Sequence, residues 1–333
     1  MKICSFEING SYPVNTRLGV LEGNKIIDLN FALALHFEKQ GYKNVQERAD
    51  AKLSSSLYTN LTSQEDLLKK LQDYLGLAQS LIKAGEEKLR NGTPITFELE
   101  KSAKLKKPLD KIGIYRDFYI HEKHVAKGFQ KRNEPVPPAW YEIPVYYKGA
   151  TAGFIGPNEE ILWPNYTDVL DYELELAIVL ARDGKNIKAS NATDYILGYT
   201  ILNDISARDI QRKEMSARLG PSKGKDFCSI IGPVIVTQDE FGKNEPNLTM
   251  TAKINGEEWS RGQSGDGHYT FAQMIEFASQ DEWLLAGDLI GSGTVGTGCG
   301  LELDKWIKSG DILELEVEKI GILRNKVGNK QKA

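Results

Sequence analysis

The chain has 333 residues, 41% hydrophobic and 26% charged, with a formal net charge of -4. This balance is ordinary for a globular protein and excludes a general attraction to nucleic acid or anionic membrane. Three cysteines, Cys4, Cys228 and Cys299, have neither metal-finger nor redox spacing and argue against a disulfide framework. The start "MKICSFEING" lacks an apolar signal core and no stretch approaches a membrane span, so a cytoplasmic protein is expected.

Residues 1 to 105 are expected to form a small accessory domain. "TRLGVLEGNKIIDLN" reads as two short strands turning at Glu22-Gly23-Asn24. In the next segment Leu67, Leu68, Leu71, Tyr74, Leu75, Ala78, Leu81 and Ile82 repeat with a helical period. Ser63 is the expected N-cap and Gly92 the expected stop. Residues 106 to 333 are expected to form the catalytic domain. "KIGIY" reads as a short strand. A long segment with Pro135, Pro137, Pro138 and Pro144 follows, and residues 125 to 145 are expected to act as a lid. Beyond residue 160 the pattern is strands divided by Gly and Asp turns, with one helix over "TFAQMIEFASQ". The basic tail "KIGILRNKVGNKQKA" reads as a solvated end. Many strands, few helices and no βαβ rhythm predict an α+β, mostly β fold.

The chemistry concentrates in "LDYELELAIVL". Glu173 and Glu175 are two apart, so on a strand both carboxylates point the same way. Two like charges beside so apolar a run repel each other and lose hydration. A second apolar strand, "YTILNDISARDI", ends in Asp204, and "YRDFYIHEKH" contributes Asp117. Several carboxylates without a soft ligand select a hard divalent cation, Mg²⁺, Ca²⁺ or Mn²⁺, which would neutralise the pair.

In "HEKH", His121 and His124 are three apart and would share a helix face. They are either surface histidines or the source of a general base. "GSGTVGTGCG" holds G-x-G-x-x-G at Gly291, Gly293 and Gly296, but without a βαβ unit. "TGCGLELDKW" is a poor helix start, so this is a weak dinucleotide fingerprint. It reads as a turn between strands or as a loop whose N–H groups approach a ligand carboxylate. In "SKGKDF", Lys223 and Lys225 form a basic loop that could supply a cation to a developing oxyanion.

The segments "RDFYIHEKH", "PPAWYEIPVYYKG", "DYELELAIVL", "GYTILNDISARDIQ", "GKDF", "GPVIVT" and "GSGTVGTGCGLEL", in this order, resemble the fumarylacetoacetate hydrolase family. They cover residues from about 112 to 325; residues 1 to 105 resemble the small N-terminal domain of its longer members more weakly. The resemblance implies mixed β-sheets rolled into a barrel-like sandwich, a homodimer, and a Mg²⁺ or Ca²⁺ ion. Carried over by motif, the metal ligands are Asp117, Glu173, Glu175 and Asp204. His124 is the base that activates water, Glu302 its orienting carboxylate, and Gln211 and Lys225 the oxyanion contacts. Tyr147 and Thr294 fall at substrate contacts. The family's substrate-binding arginine aligns one residue away from Arg132. In shorter members the catalytic histidine lies nearer His121.

The expected activity is therefore metal-dependent hydrolysis of a C–C bond in a β-diketo acid of the fumarylacetoacetate or acylpyruvate kind. A 2-keto acid dehydratase, decarboxylase or isomerase is the first alternative. A non-catalytic, metal-dependent dimer that binds a small acid is the second. The expected partner is a small keto acid.

Overall fold

The computed structural model describes every residue except 13, 64, 65, 243 and 333. A twelve-stranded sheet forms its centre. Its main path runs Thr96–Glu98, Lys25–Asp28, Arg17–Glu22, Lys2–Ile8, Ser229–Thr237, Ile196–Asp204, Leu174–Leu180, Leu289–Gly291, Tyr115–Phe118, Tyr146–Gly149. A five-stranded sheet orders Glu257–Gln263, Thr249–Ile254, Ile312–Val317, Gly321–Lys330 and Glu160–Trp163. Most pairings are antiparallel; Leu289–Gly291 runs parallel to Tyr115–Phe118. This is the mixed α+β, strand-rich architecture that the alternation of short apolar runs and turns predicts.

The central strands are mostly apolar because both their faces are covered. Along Leu174–Leu180, Leu174, Leu176, Ile178 and Leu180 enter one core cluster, while Ala177 and Val179 enter the other. Glu175 shares the face of Ala177 and Val179 by alternation, with no water to solvate it.

Several local expectations are corrected. The periodic leucines form Leu67–Lys83, and Ser63 does not cap it: Ser63 ends a separate helix, Leu57–Ser63, where its Oγ bonds Thr59 O. The stop is at Gly85, not Gly92. Gly85 has φ +77°, and the bonds Gly85 N–H to Ile82 O and Glu86 N–H to Leu81 O close a Schellman turn. The strand expected over "KIGIY" begins only at Tyr115, because its pairing with Leu289–Gly291 sets the register Gly291↔Asp117. The basic tail is not a solvated end. Gly321–Lys330 is a strand with Leu323, Asn325 and Val327 buried and Arg324 and Lys326 exposed, so its charges are one face of a sheet. The segment expected to act as a lid, 125 to 145, takes in most of the helix Glu122–Lys131, and Trp140 in Ala139–Glu142 is buried with its Nε1–H on Tyr119 O at 2.6 Å. Between them, residues 132 to 138 are largely exposed, and the N–H groups of Arg132, Asn133 and Glu134 close the end of the helix.

Candidate active site and metal centre

Three strands of the large sheet bring the acids together. Asp117 lies on Tyr115–Phe118, Glu175 on Leu174–Leu180, and Asp204 closes Ile196–Asp204. Glu173 stands one residue ahead of its strand, in an isolated bridge with Cys299. Oxygen atoms of Asp117, Glu173 and Glu175 lie within 4.8 Å of one another. Asp204 joins this group through Lys225, whose Nζ is 2.5 Å from Glu173 Oε2 and 2.6 Å from Asp204 Oδ2. Gly291 sits against Asp117 and Glu175, where a Cβ would collide with Asp117 Oδ1 and crowd Glu175 Oε2.

Five buried carboxylates gather here, Asp117, Asp171, Glu173, Glu175 and Asp204, against two buried cations, Lys225 and Arg208. The excess is negative and out of water. Burial, then the charge of Asp204, pushes the Asp117 carboxyl well above the usual range. Burial, then Asp117 and Glu173, does the same to Glu175. Burial raises Asp204 as well. Glu173 goes the other way: burial opposes its charge, but Lys225 and Arg208 outweigh it and hold the carboxyl down to about 2. Asp117 Oδ1 is buried without a hydrogen-bond partner. An all-oxygen donor set, one orphaned acceptor and an uncompensated negative charge fit a hard divalent cation.

The second constellation adjoins the first. His124 is buried on the helix Glu122–Lys131, and its Nδ1 lies 2.7 Å from Glu302 Oε1. Glu302 rides on the single turn Gly300–Leu303, so "TGCGLELDKW" does start a helix, though a minimal one. Its other oxygen accepts the Thr297 N–H at 2.9 Å. Burial raises the Glu302 carboxyl, but the His124 hydrogen bond and charge outweigh that and lower it. His121 sits at the N-cap of the same helix, 2% exposed, with both ring nitrogens unpartnered. Burial lowers its pKa to about 4, so it is neutral near pH 7.

The remaining expected contacts are tied to the same groups. Tyr147 OH donates to Asp204 Oδ2 at 2.6 Å. Thr294 Oγ1 and Gly293 N–H donate to Glu175 at 3.3 and 3.2 Å. The Gly-rich loop thus turns these donors on the protein carboxylates Glu175 and Glu302. Gly293 has φ +78°, which frees its N–H to reach Glu175. Gln211 Oε1 accepts from Arg208 Nη1 at 2.9 Å. Arg132 is not brought to the cluster: it is exposed at the helix C-cap, over the Phe129 ring, with its Nε 3.2 Å from Glu134.

Two groups escaped the sequence analysis. Arg208 Nη2 makes ion pairs with Asp171 at 2.7 Å and Glu173 at 2.8 Å. Asp171 also accepts the Gly300 and Leu301 N–H groups at 2.7 and 2.9 Å, at the start of the turn that carries Glu302. One chain of contacts therefore runs from Glu173 through Arg208 and Asp171 to the dyad. The signal was available: Asp171, Glu173 and Glu175 alternate in "LDYELEL".

A family model described as the fumarylacetoacetate (FAA) hydrolase C-terminal domain matches residues 113–328. Oxaloacetate tautomerase YisK of Bacillus subtilis is 37% identical over 163 residues, 49% of this chain and 53% of that protein. The mitochondrial oxaloacetate tautomerase FAHD2A of Homo sapiens is 31% identical over 199 residues, 60% of this chain and 62% of that protein. The matched stretch thus spans less than two thirds of either tautomerase. A solved maleylpyruvate hydrolase from a Sphingobium species, in complex with manganese(II) and pyruvate, shares the fold. Its TM-score is 0.65 at 19% identity, over 99% of this chain and 100% of that one. With a family model spanning the strands that carry the carboxylates and the loop that carries Glu302, the chain belongs to the fumarylacetoacetate hydrolase family.

Proposed function

We propose that this chain is a divalent-metal-dependent hydrolase that cleaves a C–C bond in a β-diketo acid of the fumarylacetoacetate or acylpyruvate kind. The observation that carries it is the buried 2.7 Å bond from His124 Nδ1 to Glu302 Oε1, beside the carboxylate cluster. Asp117, Glu173, Glu175 and Asp204 would hold Mg²⁺, Ca²⁺ or Mn²⁺. When bound, the cation supplies Lewis acidity at the paired keto oxygens of the substrate. With Nδ1–H held by Glu302, His124 Nε2 takes a proton from water, and the hydroxide attacks a keto carbon. The C–C bond breaks, one half leaves as a carboxylate, and His124 returns its proton to the carbon of the other. Lys225 and Gln211 serve the oxyanion, each donor worth roughly 3 kcal/mol. Tyr147 and Thr294 contact the substrate. Residues 1 to 105 are an accessory unit, and the enzyme works in the cytoplasm as a homodimer. The dimer rests on the family resemblance; a single sedimenting species at 37.2 kDa would refute it.

The second assignment is a tautomerase of 2-oxo diacids, favoured by the names of the relatives at 37% and 31% identity. There His124 would shuttle a proton between carbon and enol oxygen without C–C cleavage. Incubation with Mg²⁺ and either an acylpyruvate or enol-oxaloacetate separates the two. Release of pyruvate and a carboxylic acid is expected. Faster enol–keto exchange with no cleavage product on any acylpyruvate would replace hydrolase by tautomerase.

A further inference from the structure

Beside the oxygen-only cluster lies a donor set of another character. His124 Nδ1, Cys299 Sγ and a Glu302 oxygen all fall within 4.8 Å of one another. Sγ is 3.6 Å from Glu302 Oε1 and 3.9 Å from His124 Nδ1. All three residues are largely shielded from solvent, Cys299 completely. Carboxylates alone suit hard ions; one imidazole, one thiolate and one carboxylate suit zinc and its neighbours.

We propose that His124, Cys299 and Glu302 form a second metal site, selective for a zinc-class ion, whose occupation silences the dyad. A tetrahedral zinc ion with bonds of about 2.0–2.3 Å needs its ligand atoms about 3.3–3.6 Å apart. The sulfur–oxygen separation already fits, and the sulfur–nitrogen one needs to close by a few tenths of an ångström. The His124–Glu302 hydrogen bond has to open by roughly half an ångström as the ring proton moves from Nδ1 to Nε2 by exchange with solvent. The thiol proton passes to solvent. Water takes the fourth position.

The consequence for the base follows from the two ring nitrogens. As a base, His124 carries its proton on Nδ1, toward Glu302, and offers the lone pair of Nε2. An ion on Nδ1 of the neutral ring confines the proton to Nε2. That nitrogen then has nothing with which to accept a proton from water. A cavity of about 260 Å³ lined by Lys123, Asp266, Arg261 and Thr297 abuts the loop whose Thr297 N–H binds Glu302. The metal site stands on geometry and donor chemistry; its inhibitory effect rests on the hydrolase proposal.

Zinc-edge X-ray absorption on the full chain, in excess Mg²⁺ with one equivalent of Zn²⁺, tests the site without turnover. A single sulfur at about 2.3 Å together with imidazole scattering is expected. Cys299→Ser should lose the sulfur. A shell of only nitrogen and oxygen in the parent overturns the proposal. So does a sulfur that survives in Cys299→Ser, since Cys4 or Cys228 would then be the ligand. If the serine variant does not fold, Cys299→Ala replaces it, and the parent spectrum alone can still refute the site. In turnover assays zinc inhibition should weaken at least tenfold in Cys299→Ser, while the rate without zinc stays near that of the parent. Equal inhibition of both proteins overturns the silencing. Failure of every turnover assay with the sulfur shell intact would count against the hydrolase proposal and leave the metal site standing.

Discussion

His121 and His124 show how three residues of spacing separate two chemical fates. Both are buried on one helix, yet only His124 has a carboxylate on its ring. His124→Asn should lower kcat by about 100-fold or more, because a positioned general base is worth roughly 10²–10⁴. His121→Asn should remain near the parent, with metal content unchanged in both; a dead His121→Asn beside an active His124→Asn would reverse the assignment. His121 should instead appear in stability. Its pKa is about 4 in the folded protein against an ordinary 6.5. The unfolded chain thus takes up this proton first as pH falls. The stabilisation is complete above 6.5 and is lost between 6.5 and 4, by at most about 3 kcal/mol. Urea denaturation at pH 7 and pH 5 should show a flatter pH dependence for His121→Asn than for the parent.

At the scale of elements, the turn Gly300–Leu303 is too short to hold itself and depends on Asp171. That carboxylate satisfies two of its N–H groups and neutralises Arg208. Asp171→Asn should destabilise the fold by about 3 kcal/mol, because it leaves a buried guanidinium short of one partner. Chemical denaturation measures this; a change below about 0.5 kcal/mol would remove Asp171 from the chain that joins Glu173 to Glu302. The Lys225 loop is held in a similar way, since Glu214 accepts the backbone N–H groups of Ser222, Lys223 and Gly224. A lysine placed between two acids by such a loop keeps its charge: burial alone would lower its pKa, but Asp204 and Glu173 raise it.

For the whole molecule, the sheet is continuous across residue 105. Lys2–Ile8 pairs with Ser229–Thr237 in the register Lys2↔Val236, Ile3↔Ile235. Residues 106–333 expressed alone should therefore expose a long apolar edge and aggregate, which light scattering would reveal. A monodisperse, well-folded 106–333 would show that the edge tolerates water. The buried excess of carboxylates should make stability metal-dependent. At a hundred times its dissociation constant, Mg²⁺ should stabilise the protein by about 2.7 kcal/mol near pH 7. The effect should shrink on acidification, because the raised Asp117, Glu175 and Asp204 carboxyls take protons in place of the ion. An unfolding temperature unmoved by Mg²⁺ or Mn²⁺ at neutral pH would refute the metal centre.

The sequence by itself determined whatever is local and periodic. The hairpin at Gly23, the capped helix Phe271–Ala278 and the strand around Ala177 to Leu180 all follow from turn chemistry, capping and apolar runs. The paired projection of Glu173 and Glu175 was legible for the same reason, since alternation is a property of any strand. The tertiary structure decided what depends on register between distant segments. Asp117 meets Glu175 only because Leu289–Gly291 lies between their strands with a glycine opposite Asp117. The tail became a strand because Val327 and Leu323 found a core. Arg208, Asp171 and Cys299 each have a partner 35 or more residues away, and as a buried charge or thiol is defined by what surrounds it, no local pattern encodes that.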